Sequence, residues 1–159
     1  MAPILLSLLA WLIPWTPARA NSPTAVVVSV GDGDTLRLRQ GSRLLTVRLA
    51  CIDAPERWQT PHGQAARAAL LALAPPGALL HLRRLSSDRY GRTVAELSRS
   101  GRNLNQRLVA SGAAFVYWPY IRGCDRQTYA RLETEARLQR LGVWSVEGGI
   151  SRPWDARRR

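Results

Sequence analysis

The chain has 159 residues, 46% hydrophobic and 21% charged, with 23 basic against 11 acidic side chains and a formal charge of +12. That composition can bury the core of one domain and excludes a disordered polybasic tail. There is no internal repeat to suggest a solenoid, two cysteines are too few for a disulfide-built miniprotein, and no apolar run reaches the ~18 residues of a conventional membrane-spanning helix.

Ile4 to Trp15 form an apolar run broken only by Ser7 and Pro14, followed by Thr16-Pro17-Ala18-Arg19-Ala20. Small residues stand at the two positions a signal peptidase reads, so residues 1–20 are expected to be a secretory signal cleaved after Ala20, although no Arg or Lys precedes the run. The run is too short to cross a hydrocarbon core of ~30 Å, so no stable membrane association is expected after cleavage. Export to the periplasm or the medium follows. Cleavage removes Arg19 and lowers the charge of +12 by one. Every cation in the chain is Arg. Such a surface predicts an anionic partner: nucleic acid, anionic lipid or acidic polysaccharide. Nothing in the sequence points to an oligomer, and a monomer is expected.

Thr24 to Val30 alternates and is β-branched, and reads as a strand. Asp32-Gly33 is a turn pair, Thr35 to Arg39 a second strand, and Gly41-Ser42 a two-residue turn into a third strand over Leu45 to Ile52. Gln64 to Leu73 carries an apolar helical stripe, ended by Pro75-Pro76-Gly77. Ala78 to Leu85 and Thr93 to Ser98 are the fourth and fifth strands. Asn103 reads as the N-cap of a helix through Ala110, and Asp125 as the cap of a last helix. Ala113 to Trp118 is apolar and extended. Five short strands with helices inserted late predict an α+β fold: a five-stranded OB-fold barrel with three helices, spanning residues 21–145. Residues 146–159, rich in Gly, Pro and Arg, read as a loose basic tail with no assignable role.

Three clusters carry chemistry: Asp32-Gly33-Asp34-Thr35, Arg48 to Glu56, and Asp88-Arg89-Tyr90-Gly91-Arg92. Each alone passes for a turn. Together they mean more. The turn at Gly41-Ser42 sets Thr35 opposite Arg48 and Asp34 opposite Leu49. Asp34 and Arg48 then lie at one height on neighbouring strands, with Asp53 and Glu56 following at the strand end. Which face each side chain takes is left open, because a one-residue slip reverses it. Carboxylates gathered there repel one another unless a cation holds them. The oxygen-only ligands favour Ca²⁺ or Mg²⁺ over zinc. A metal with arginines nearby suits phosphoryl chemistry, and Glu56 is the candidate base.

The ordered motifs DGDT, RLxxIDAPE, DRYGR, NxxLVxxGxAxVY and LGVWS, from about Thr24 to Ser145, resemble the staphylococcal nuclease-like (thermonuclease) family. The resemblance implies Ca²⁺-dependent hydrolysis of DNA and RNA that leaves 5′-hydroxyl and 3′-phosphate ends. By position it implies that Asp34, Asp53 and the backbone carbonyl of Ala54 are metal ligands, with Asp32 an outer carboxylate. Arg48 and Arg92 would clamp the scissile phosphate, and Glu56 would be the general base. Arg89 and Tyr90 would hold a terminal phosphate, and Trp118 and Tyr117 would stack on a base. Two departures stand out. Ala54 replaces a hydroxyl residue, which a backbone ligand tolerates. The loop Arg57-Trp58-Gln59 is short.

In an exported protein Cys51 and Cys124 are expected to pair, closing a long loop. Two other readings compete with the enzyme. One is a non-catalytic nucleic-acid-binding OB module, which does not need Asp34, Asp53, Glu56, Arg48 and Arg92 together. The other is a basic protein binding anionic envelope polymers, which explains none of the acidic motifs.

Overall fold

A computed structural model describes residues 23–158. The expected signal segment, residues 1–20, lies outside the described residues.

β1 (Thr24–Val30), β2 (Thr35–Gln40) and β3 (Arg43–Leu49) form an antiparallel meander. The register is the one that the Gly41-Ser42 turn requires: Gln40 pairs with Arg43 and Thr35 with Arg48. Gly41 takes φ +57°, the left-handed conformation that such a turn demands. β5 (Leu79–Ser87) pairs with β1, and β6 (Thr93–Arg99) with β5. A parallel pairing of β3 with β6, from Val47 opposite Thr93 to Leu49 opposite Ala95, closes the five strands into a mixed barrel. Alternation decides what fills it. Leu36, Leu38, Val47, Leu49, Leu80, Leu82 and Leu97 are buried, while Arg37, Arg39 and Arg43 face out. Each fully buried Leu contributes about 1.5–3 kcal/mol.

Three helices pack around the barrel: α1 (His62–Leu73), α2 (Leu104–Ala110) and α3 (Arg126–Leu138). Asn103, in the short strand β7 (Arg102–Asn103), caps α2 by accepting from the Gln106 N–H, and Asp125 caps α3 through the Thr128 N–H. Asn105 is fully buried and spends its amide on the backbone. Its Nδ2 donates to the carbonyls of Ala50 and Ala95, and its Oδ1 accepts from Leu97 N–H. It thereby stitches α2 to the seam where the barrel closes. Tyr129 of α3 donates its hydroxyl to buried Glu96, which Arg83 and Asn103 also engage.

Two segments differ from the sequence reading. The third strand does not run to Ile52. It stops at Leu49, and Cys51 adopts φ +66°. The reversal detaches β4 (Ile52–Asp53), which pairs instead with β8 (Phe115–Val116). The tail is not loose. Ile150 and Trp154 join an apolar cluster with Phe115, Ala136, Val143 and Trp144, and Pro153–Ala156 form a one-turn helix, α4. Packing against aromatic side chains supplies the order that composition alone does not suggest.

Cys51 and Cys124 are disulfide-bonded, with Cα atoms 6.5 Å apart and a sequence separation of 73. The bridge ties the reversal after β3 to the start of α3. Replacing both cysteines by Ala is expected to lower unfolding free energy by up to about 4 kcal/mol, the chain-entropy value for a loop of this length. Urea titration of the oxidised wild type against the double variant measures it. Equal midpoints would show the bridge to be energetically idle.

Candidate functional site

The site begins at the loop between β1 and β2. Gly31 and Asp32 donate backbone N–H groups to the Thr35 carbonyl, and the Asp34 N–H donates to Asp32 Oδ1 at 3.1 Å. Gly33 is required for packing. A Cβ there would lie 2.6 Å from the Cβ atoms of both Ala54 and Ala66. With glycine the loop wedges between α1 and the strand end, and Asp34 Oδ2 accepts the Ala54 N–H at 2.8 Å.

Arg48 unites the cluster. Its Nη1 donates to the carbonyls of Leu49 and Ile52 and lies 3.2 Å from Asp34 Oδ2, while Nη2 lies 2.7 Å from Asp53 Oδ1. The reversal at Cys51 is what returns Asp53 to this guanidinium. Asp34 and Asp53 therefore converge, both buried, from two separate stretches of chain. Burial lifts the Asp53 carboxyl from its ordinary value of 3.8 to about 6. Arg48 pulls it down, Asp34 pushes it up again, and Arg157 works with Arg48. Asp32 is also raised, first by burial and then by Asp34.

Glu56 follows in the loop after β4. Gln59 holds it by accepting the Glu56 N–H at Oε1, while the Glu56 carbonyl accepts the Gln59 N–H. The start of α1 presses on the same carbonyl: a Cβ at Gly63 would lie 1.9 Å from the Glu56 oxygen. The Glu56 carboxylate is paired with an arginine from the C-terminus. Arg157 Nη1 lies 2.5 Å from Glu56 Oε1, and its Nη2 lies 2.6 Å from Asp53 Oδ2.

Arg92 stands elsewhere. Its backbone N–H and Nε both bond Asp88, and among the described residues it has no ion pair with Asp34, Asp53 or Glu56. Burial is the largest single influence and raises the Asp88 carboxyl, but the bonds from Arg92 and Tyr90 together hold it below its usual range. The parallel pairing of β3 with β6 nevertheless starts at the residue after Arg92, one strand away from Arg48. Arg89 donates to the Tyr90 hydroxyl and lies over its ring, and Tyr90 is 68% exposed. Trp118 donates its indole N–H to Glu133 and lies under Arg126. Tyr117 stacks with Tyr120 and, at 5.0 Å, with Trp154.

The structure thus gathers Asp32, Asp34, Arg48, Asp53, Ala54 and Glu56, and leaves Arg89, Tyr90 and Arg92 on the neighbouring hairpin. Among the described residues no three His, Cys, Asp or Glu side chains close into a ready-made metal cage. Asp34 and Asp53 are nonetheless two buried carboxylates brought together beside the Ala54 backbone. That donor set fits a hard divalent cation that keeps part of its water shell. Sequence reasoning missed Gln59, Gly63, Trp154 and Arg157. Pro153 at the first position of a short helix was the one available signal for the last two.

Gly63→Ala is expected to displace Glu56 and to destabilise the protein by about 1–3 kcal/mol, since a backbone carbonyl cannot yield to the new methyl. Thermal unfolding and the turnover rate read the two effects. A second expectation concerns pH in chelator. Folded Asp53 holds its proton to about pH 6, the unfolded chain only to the ordinary 3.8. The folded state binds more protons across that interval, so stability falls as pH rises through it and the loss is complete above about 6. Wild type should lose up to about 3 kcal/mol that Asp53→Asn does not. Parallel slopes for the two proteins would remove Asp53 as the titrating group.

Residues 46–146 match the family model described as staphylococcal nuclease homologue. The chain is 36% identical to Protein ParB of Escherichia coli, over 94% of this chain and 87% of that protein. It is 38% identical to a micrococcal nuclease of Shigella flexneri, over 83% of this chain and 79% of the relative. An uncharacterized endonuclease of Escherichia coli O157:H7 is 32% identical over 99% of this chain and 96% of its own length. With the closed barrel and the converging aspartates, these matches place the chain in the staphylococcal nuclease family.

Proposed function

We propose that the protein is an exported endonuclease that hydrolyses phosphodiester bonds of DNA and RNA with the help of Ca²⁺. The observation that carries the reading is the Arg48 bridge between Asp34 and Asp53, with Glu56 held beside it. The nuclease names among its relatives support the reaction class. The Cys51–Cys124 bridge supports an oxidising compartment, periplasm or medium. A monomer suffices, because every residue invoked comes from one chain.

Asp34, Asp53 and the Ala54 carbonyl would hold the ion, with Asp32 beside them. When bound, Ca²⁺ supplies positive charge to the phosphate's non-bridging oxygens. Glu56 orients a water and takes its proton as the water oxygen attacks phosphorus. The P–O5′ bond breaks, the 3′-phosphate stays with one product, and the departing 5′-oxygen takes a proton from solvent water to leave as a hydroxyl. Among the described residues nothing accepts from Arg48 Nε, so that N–H is free for a phosphate oxygen while Nη1 and Nη2 hold the aspartates. Arg92 joins from the next strand by exchanging Asp88 for the phosphate, and a guanidinium fork suits either oxyanion. Arg89 and the exposed Tyr90 receive a terminal phosphate. Tyr117 and Trp118 offer faces for a base.

Purified mature protein should cleave plasmid DNA and RNA in Ca²⁺ and stop in EDTA, leaving 3′-phosphate ends. Glu56→Gln should cut turnover by roughly 10²–10⁴-fold with substrate binding largely kept. End-group analysis and single-turnover rates decide. Tight binding without cleavage by the wild type in any divalent cation would instead assign a binding module.

A further inference from the structure

The C-terminal segment ends in the site. Arg157 spans the candidate metal ligand and the candidate base, with Nη2 on Asp53 Oδ2 at 2.6 Å and Nη1 on Glu56 Oε1 at 2.5 Å. A second Arg157 contact, Nη1 to Asp53 Oδ1, spans 3.4 Å. Trp154, one turn earlier, lies on Tyr117 with ring planes 24° apart. One turn of helix therefore presents a flat aromatic to the aromatic wall and a cation to the carboxylates. Those are the two features by which a metal-loaded nucleotide would occupy the same places.

The segment is anchored upstream and light at its end. Gln59, which fixes Glu56, also donates Nε2 to the Ser151 carbonyl at 2.9 Å. Pro153 is buried, and Arg152 lies 4.2 Å over the Phe115 ring. Beyond this point α4 is four residues long and ends at Ala156, and the Arg157 side chain remains 43% exposed. Short helices fray readily, so Arg157 can leave without unfolding the barrel.

We propose that Arg157 and the divalent cation are alternative occupants of Asp53, and that the same guanidinium masks the base Glu56, so that α4 acts as an intramolecular plug which cation and nucleic acid displace together. Because the ligand set is the one given under Proposed function, the inference rests on that reading. Arg158 follows Arg157, so a displaced segment keeps positive charge close to the incoming strand. Its guanidinium groups exchange carboxylate for phosphate, both of which the planar fork accepts in bidentate fashion.

The test is calorimetric titration of Ca²⁺ into the full mature, disulfide-bonded protein. If part of the apo population has its ligands blocked, the apparent affinity is lowered by that fraction. Arg157→Ala should therefore bind Ca²⁺ on the order of tenfold tighter than wild type, and Asp53→Asn should abolish binding in either background. A chain truncated after Ala156 reads the same quantity if Arg157→Ala folds poorly, and far-ultraviolet circular dichroism checks each variant. Equal or weaker Ca²⁺ affinity without Arg157, with binding still lost in Asp53→Asn, overturns the plug and leaves the metal site standing. No Ca²⁺ binding to wild type, Arg157→Ala and the truncated chain alike overturns the plug and the metal assignment together.

Discussion

Two carboxylates buried side by side must be compensated, and Arg48 is the group that does it. It reaches Asp34, from the loop before β2, and Asp53, from the strand after the Cys51 reversal. A charge removed from water costs several kcal/mol unless it is paired and hydrogen-bonded, and its loss from such a pair leaves the partner stranded. The position of Arg48 is fixed by barrel closure. Its residue pairs with Thr35 on one side and Val94 on the other. Asn105 then pins the carbonyls of Ala50 and Ala95 across the same seam. The site therefore sits where the barrel shuts, and errors in closure would reach the aspartates directly.

Around that ion-pair core, small residues set the distances. Gly33, Ala54 and Ala66 meet so closely that a methyl group at Gly33 has no room, and Gly63 likewise abuts the Glu56 carbonyl. α1 acts as a wedge with a smooth face. It holds the Asp34 loop on one side, where Arg67 also donates to the carbonyls of Val30 and Gly31, and the Glu56 loop on the other. Placing functional side chains on loops that a rigid scaffold fixes is the usual arrangement in binding and catalytic sites. Here the rigidity comes from close contact, with the Ala54 and Ala66 methyl groups at Gly33 and with backbone at Gly63, which tolerates no larger residue.

Much of this could be read from the sequence because the signals were local. A two-residue turn sets the β2–β3 register, and the Asn103 and Asp125 side chains mark helix starts at the positions observed. That register put Asp34 and Arg48 at one height with their faces left open, whereas the approach of Asp53 depends on a reversal of the chain. The break at Cys51 was not legible, since Leu45 to Ile52 keeps an apolar pattern through a non-glycine residue with positive φ. Nor was the bond between Arg92 and Asp88, which depends on rotamers rather than spacing. The C-terminal segment escaped because its order is tertiary. Trp154 finds Tyr117 and Phe115 far away in sequence, and nothing near residue 154 announces them.

The arginine-only composition gains a structural meaning at this point. Arg48, Arg92 and Arg157 each pair with carboxylates, Arg157 through both Nη atoms and Arg92 through Nε alone, and each carries the planar fork that also fits a phosphate. An ammonium in these places would be a point charge, satisfied by one oxygen at a time. Guanidinium groups pair with Asp53 and Glu56 as the structure stands. If a cation takes Asp53 as proposed, strengthening that ion pair must weaken cation binding, because the same carboxylate serves both.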